Sequence, residues 1–321
     1  MLAIENKNSR NVKRFLEMSS AEQAAVAVDK GRKNAMMYAA ETGNAEALRQ
    51  LVQMKSADQQ ARMIDIYKMN ALICAVAHNH EESALLLLDR DSAEDQANVR
   101  DLQGANALIF ATLRGNIRLF RRLLELDNAS EQATATNVRT GHTALVYAID
   151  AGNEQMIEAL LDLPSANEQA LCADKEGSTP LIFAAQEGKT SIVQRLLRLS
   201  SAEAQVKSVD EQGRNALIHA AAYGEIEVVE QLLSRESGPD QAKHTDNNGW
   251  NALMHAANFG QSDVVEFLLS QPFAADLLVA RGVDNTDAVS IASGAGHFRI
   301  AARIIQFAHG LISRNTVSTG Q

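Results

Sequence analysis

Four sets of residues in this sequence have the types and spacing to do chemistry. His219 and His255 stand 36 residues apart, and paired imidazoles are a common start to a zinc site. His78 and His80 flank Asn79, and Cys74 and Cys172 are the two thiols. Arg118, Arg121 and Arg122 form a short basic group. Around them the chain has no glycine-rich phosphate loop, no His-Glu-x-x-His, no Gly-x-Ser-x-Gly and no Cys-x-x-Cys, the patterns that metal, nucleophile or phosphate chemistry needs at fixed spacing. The role of each residue therefore depends on the elements that hold it.

Those elements repeat. A polar residue followed by Ala or Pro and an apolar residue recurs as Asn34-Ala35-Met36, Asn70-Ala71-Leu72, Asn106-Ala107-Leu108, Thr143-Ala144-Leu145, Thr179-Pro180-Leu181, Asn215-Ala216-Leu217, Asn251-Ala252-Leu253 and Asp287-Ala288-Val289. The spacing is 36 residues throughout, with one step of 37. Nine residues after each start stands Gly43, Gly115, Gly152, Gly188, Gly224, Gly260 or Gly296, with Asn79 in the second unit. Asn, Thr and Asp cap helix N-termini, and Gly or Asn closes a helix in the left-handed conformation, so each unit opens with a short helix. Pro180 falls at the first helical position, where its missing N–H costs nothing. A second amphipathic segment follows, as in Ile226-Glu227-Val228-Val229-Glu230-Gln231-Leu232-Leu233. A third phrase, Ser92-Ala93-Glu94-Asp95-Gln96 or Ser165-Ala166-Asn167-Glu168-Gln169, has the form of a capping box and predicts an extra helical turn. Asp174-Lys175-Glu176-Gly177-Ser178 and its counterparts predict tight hairpins between units.

Placed in this frame, the chemical candidates become framework. His219 and His255 share a repeat slot with Tyr38, Cys74, Phe110, Tyr147, Phe183 and Ile291. A slot that accepts aromatic, thiol and aliphatic residues alike is expected to be core packing. Adjacent repeats also hold the two imidazoles too far apart for one zinc ion with bonds of about 2 Å. His78 and His80 sit at the end of a first helix and are expected to act there as caps or dipole partners. Cys172 is expected to be a small buried filler, and the three arginines a solvated face.

The 30 Lys and Arg against 40 Asp and Glu give a net charge of −10, which argues against direct nucleic-acid binding by phosphate neutralisation. No apolar run approaches the roughly 18 residues of a membrane span. The first residues lack the basic and apolar regions of a secretory signal. Two cysteines are too few for a disulfide framework, so an intracellular, reducing setting is expected, without excluding export as an effector.

Asp210-Glu211-Gln212-Gly213-Arg214-Asn215-Ala216-Leu217-Ile218-His219-Ala220-Ala221-Ala222-Tyr223-Gly224 and Thr179-Pro180-Leu181 resemble the ankyrin repeat family, with eight such phrases in one register. The resemblance implies an all-α solenoid of helix-turn-helix units joined by hairpin-like loops, here with an extra short helical turn. Its expected limits are a partial N-terminal repeat or cap over 1–33, an array over 34–310 and a disordered tail over 311–321. The array divides as 34–69, 70–105, 106–142, 143–178, 179–214, 215–250, 251–286 and 287–310. The period exceeds the family's usual value of about 33. Met37, Ile73, Ile109, Val146, Ile182, Ile218 and Met254 stand where the family has a hydrogen-bonding His, so packing is expected to replace that bond.

The resemblance further implies a non-enzymatic, cofactor-free and metal-free monomeric scaffold or adaptor. It would bind a protein partner through hairpin tips and first-helix ends lining a groove. An alternative implied role is a targeting or inhibitory module of a larger enzyme or an exported effector. Carried over position by position, the groove takes in Trp250, Tyr223, Phe259, Arg214, Tyr67, His142, Lys175 and Glu187. Trp, Tyr and Arg deliver the most interface energy, which makes Trp250, Tyr223, Phe259 and Arg214 the expected anchor cluster. The competing expectation for Trp250 is a staple onto His255 within its own repeat.

Overall fold

Each repeat begins on a polar side chain that the fold buries. In the computed structural model, which describes residues 20–318 and the side chains of 20–311, Asn34, Asn70, Asn106, Thr143, Asn215, Asn251 and Asp287 accept the N–H three residues on and cap a helix. The first helices are Ala35–Glu41, Ala71–Ala77, Ala107–Leu113, Ala144–Asp150, Pro180–Gln186, Ala216–Tyr223, Ala252–Asn258 and Ala288–Gly294. The closing glycines take φ between +62° and +84°, and Asn79 joins them at +58°. Helices this short are unstable alone, so packing must hold them.

Second helices run Ala45–Leu51, Glu81–Leu88, Ile117–Leu124, Glu154–Leu161, Thr190–Leu196, Ile226–Leu233, Ser262–Ser270 and Phe298–Ser318. The extra turn is present as a short third helix: Ala57–Arg62, Ala93–Ala97, Ala129–Ala133, Ala166–Gln169, Ala202–Lys207, Gly238–Lys243 and Ala274–Val279. Ala21–Val26 is the corresponding element of the partial repeat or cap expected over 1–33, of which 1–19 lies outside the described residues.

The chain divides into two units, Met1–Gln169 and Ala170–Gln321. Within each, first helices pack on first helices and second on second, giving two layers of helices around one seam. Leu72, Ile73, Leu108, Ile109 and Leu145 fill the seam of the first unit at 0% exposure, as Ile218, Leu253 and Met254 do in the second. Burial of each such side chain is worth about 1.5–3 kcal/mol.

The missing family His is replaced by hydrogen bonds as well as by packing. While the Oδ1 of Asn70 caps its helix, its Nδ2 donates to the Gln96 carbonyl at 2.7 Å. Asn34 reaches Gln60 at 2.8 Å, Asn106 reaches Gln132 at 2.8 Å and Asn251 reaches Leu277 at 2.8 Å. One amide thus pins the first helix to the third. Between repeats, His80 donates to the Glu41 carbonyl (3.0 Å), Arg114 to Ala77 (2.7 Å) and Gln261 to Ala222 (2.9 Å), filling free carbonyls at helix ends.

Two local expectations are corrected. Ser92 makes no capping bond; its hydroxyl accepts from Gln96 Nε2 at 3.2 Å, because the buried glutamine needs an acceptor inside the repeat. The same serine–glutamine bond joins Ser165 to Gln169 and Ser201 to Gln205. The last helix continues through 311–318, which was expected to be a disordered tail. Gly310 there is not left-handed and no proline follows, so nothing in the backbone stops the helix.

Candidate partner-binding surface

An aspartate organises five of the hairpins in the same way. Asp65 Oδ1 accepts the N–H groups of Tyr67 (2.8 Å) and Met69 (2.9 Å), and Asp101, Asp174, Asp210 and Asp246 repeat the pattern. The glycine of the turn is needed for two reasons at Gly177: its φ is +80°, and a Cβ there would sit 3.0 Å from the Glu211 nitrogen of the next hairpin. The one residue that lengthens a repeat to 37 is absorbed in a wider loop, Asn137 to His142, closed by a 2.9 Å bond.

Backbone bonds join each hairpin to its neighbour. In the first unit Ile66 N–H donates to Gly31 (3.0 Å), Leu102 to Tyr67 (3.0 Å) and Val138 to Gln103 (2.7 Å). In the second, Glu211 donates to Glu176 (2.8 Å), Asn247 to Gln212 (2.9 Å) and Val283 to Asn248 (2.9 Å). Within each unit the tips therefore form one ridge in fixed register.

The slot shared by His219 and His255 is not uniformly core. Tyr38, Phe110, Tyr147 and Phe183 are only half-buried, because this helix position faces the hairpin of its own repeat. The slot works as a strut. Tyr38 donates its hydroxyl to Asp29 Oδ2 (2.7 Å), His219 Nε2 to Asp210 Oδ2 (2.8 Å) and His255 Nε2 to Asp246 Oδ2 (2.9 Å). Burial pushes the pKa of both histidines down despite the carboxylate partners, so at neutral pH they are uncharged donors. Burial tends to raise the Asp210 carboxyl, but the Arg214 N–H, His219 and the Arg214 guanidinium outweigh it and hold it below its usual value. The Cys74 thiol, buried in the same slot, is pushed up to about 12 by burial and is inert as a nucleophile at neutral pH. Among the described residues no group of three or more His, Cys, Asp or Glu is placed to hold a metal ion.

The expected anchor cluster divides in two. Tyr223 and Phe259, at the ends of successive packed first helices, are 55% and 57% exposed. Trp250 is half-buried: its ring meets His255 edge-on at 5.4 Å, and a Cβ on Gly282 of the next hairpin would lie 2.8 Å from its Nε1. That is the staple geometry. Arg214 is likewise held by its own hairpin, with Nε 2.8 Å from Asp210 Oδ2. His142 is half-buried with its ring 5.2 Å from Tyr147, whereas Tyr67, Lys175 and Glu187 are exposed on a tip, a tip and a helix end.

Sequence reasoning passed over Ile66, Leu102 and Val138, which follow the hairpin Asp or Asn and are 51%, 49% and 54% exposed. The available sign was an aliphatic residue at a turn position that favours polar residues. The matching positions of the second unit are Lys175, Glu211, Asn247 and Val283.

No described helix is long and apolar enough to cross a membrane. No curated protein matches the chain. Among solved structures, the ankyrin repeat domain of Bcl-3, described as a unique member of the IkappaB protein family, aligns with a TM-score of 0.57 at 23% identity, over 73% of this chain and 96% of its own. EF0377, an ankyrin repeat protein, aligns with a TM-score of 0.54 at 22% identity, over 64% of this chain and 98% of its own. The sequence profile of ankyrin repeats (3 copies) matches residues 1–101, 92–170, 163–243 and 199–281. With the capped helix pairs and bonded hairpins, this places the chain in the ankyrin repeat family, whose members are in general non-enzymatic modules for protein–protein interaction.

Proposed function

We propose that this protein is an adaptor or scaffold that captures a protein partner on the face formed by its hairpin tips and first-helix ends. The observation that carries this reading is the exposure of Tyr223 and Phe259 on adjacent repeats, in a chain whose other large side chains mostly fill the seam. An aromatic residue left half in water gains free energy when a partner covers it. Trp250 and Arg214 contribute by fixing the hairpins from which the partner is met, and Lys175 and Glu187 of the same unit add contacts at the rim. Rigid-body docking follows from the bonded framework, since little side-chain or loop ordering remains to be done on binding.

The test is affinity capture from a lysate of the native host with the wild-type chain and with Tyr223→Ala/Phe259→Ala. A partner retained by the first and lost by the second, with both circular dichroism spectra alike, supports the assignment. Identical captured sets contradict it.

A further inference from the structure

The first unit carries a ridge with a chemistry of its own. Ile66, Leu102 and Val138, with Tyr67 beside them at 54% exposure, occupy successive tips that backbone bonds hold in line. These loops present Lys68, Arg100 and Arg139, and the hairpin before them, bonded through Gly31 to Ile66, presents Lys30 and Arg32; all five are exposed, and none is in an ion pair among the described residues. Their carboxylates point the other way: Asp29, Asp65 and Asp101 accept N–H groups of their own hairpins. In a chain of net charge −10 this ridge is apolar and cationic.

Its spacing selects a ligand shape. Packed helices lie about 8–10 Å apart, so the three aliphatic tips recur at nearly that interval. An extended peptide returns to one face about every 7 Å and misses the next tip. An α-helix rises about 10.5 Å in seven residues and returns to almost the same face. We infer that the Ile66–Leu102–Val138 ridge binds an acidic amphipathic α-helix of a protein partner, with apolar residues at heptad spacing and Asp or Glu on both flanks. The inference rests on reading the chain as a protein-binding module but uses none of the Tyr223/Phe259 surface.

The test titrates the full chain into labelled synthetic helical peptides of about six turns. One has leucine every seventh residue with flanking glutamates, the second has lysine for glutamate, and the third has the first peptide's composition with its leucines scattered. The acidic heptad peptide should bind at least about tenfold more tightly than either control, and less tightly as salt rises. Leu102→Ser/Val138→Ser and, separately, Arg100→Glu/Arg139→Glu should each weaken it by about tenfold or more with circular dichroism unchanged. No binding of the acidic peptide, equal binding of all three, or full binding by both variants overturns the inference. Tyr223→Ala/Phe259→Ala should bind the acidic peptide like wild type, so failure of the ridge and failure of the aromatic surface give different results.

Discussion

The hairpin ridges of the two units share one backbone and differ in what they show to solvent. In both, an aspartate gathers the turn amides and a backbone bond fixes each hairpin to its neighbour. At the same turn position the first unit presents Lys30, Ile66, Leu102 and Val138, and the second presents Lys175, Glu211, Asn247 and Val283. Stability in this fold thus resides in the apolar seam and the buried polar bonds that repeat around it, and recognition in exposed positions that those bonds leave free to vary. The slot that faces each hairpin differs too: Tyr38, Cys74, Phe110 and Tyr147 in the first unit, Phe183, His219, His255 and Ile291 in the second.

If the framework is common, breaking it should cost the same in either unit. Asn70→Ala and Asn215→Ala each remove a cap and a buried donor, to Gln96 in the first case and to Gln241 in the second. Each should destabilise by about 2–3 kcal/mol in urea unfolding. Thr179, whose hydroxyl makes neither bond, should cost under about 1 kcal/mol as Thr179→Ala; a cost equal to that of Asn70→Ala would break this account of the amide. Among the closing glycines, Gly115→Ala meets open space and should pay only the left-handed penalty, about 1–2 kcal/mol. Gly224→Val should cost more, because a Cβ there also lies 2.5 Å from the Gln261 side chain.

Acid should separate the units. His219 and His255 have lowered pKa values in the folded state, so just below the unfolded value of about 6.5 the unfolded chain binds more protons. The stability these residues help hold is present above that pH and declines as pH falls through it toward their folded values. The lowered carboxyl of Asp210 adds a further loss below its own usual value near 3.8. Hydrogen exchange at mildly acidic pH should therefore show protection falling in 210–259 before 65–114. Simultaneous loss would remove the histidine struts as its cause. The smallest stability effect is expected at the tips: Leu102→Ser and Arg139→Glu should each stay within about 0.5 kcal/mol of wild type by melting.

Much of this frame was legible in the sequence because it is local. Asn at a cap, Gly or Asn nine residues on and Pro180 at a first turn each follow from backbone geometry, and recurrence at 36 residues placed all eight helix pairs. What escaped was long-range. Nothing local shows that Asn70 also reaches Gln96, or that Ser92 serves Gln96 instead of a helix end. The surface was legible only by position. Tyr223 and Trp250 look alike as aromatic residues at groove positions, and only packing against His255 and Gly282 separates the staple from the exposed ring. Ile66, Leu102 and Val138 are of residue types that elsewhere in the chain fill the seam, and only their place on bonded hairpins shows that they stand in solvent.

The most direct test of the separation between framework and recognition is to measure Tyr223→Ala/Phe259→Ala twice, by urea midpoint and by partner capture. The account expects a midpoint within about 0.5 kcal/mol of wild type and a lost partner. A lowered midpoint with the partner retained would contradict it, by showing that these rings hold the array together and recognise nothing.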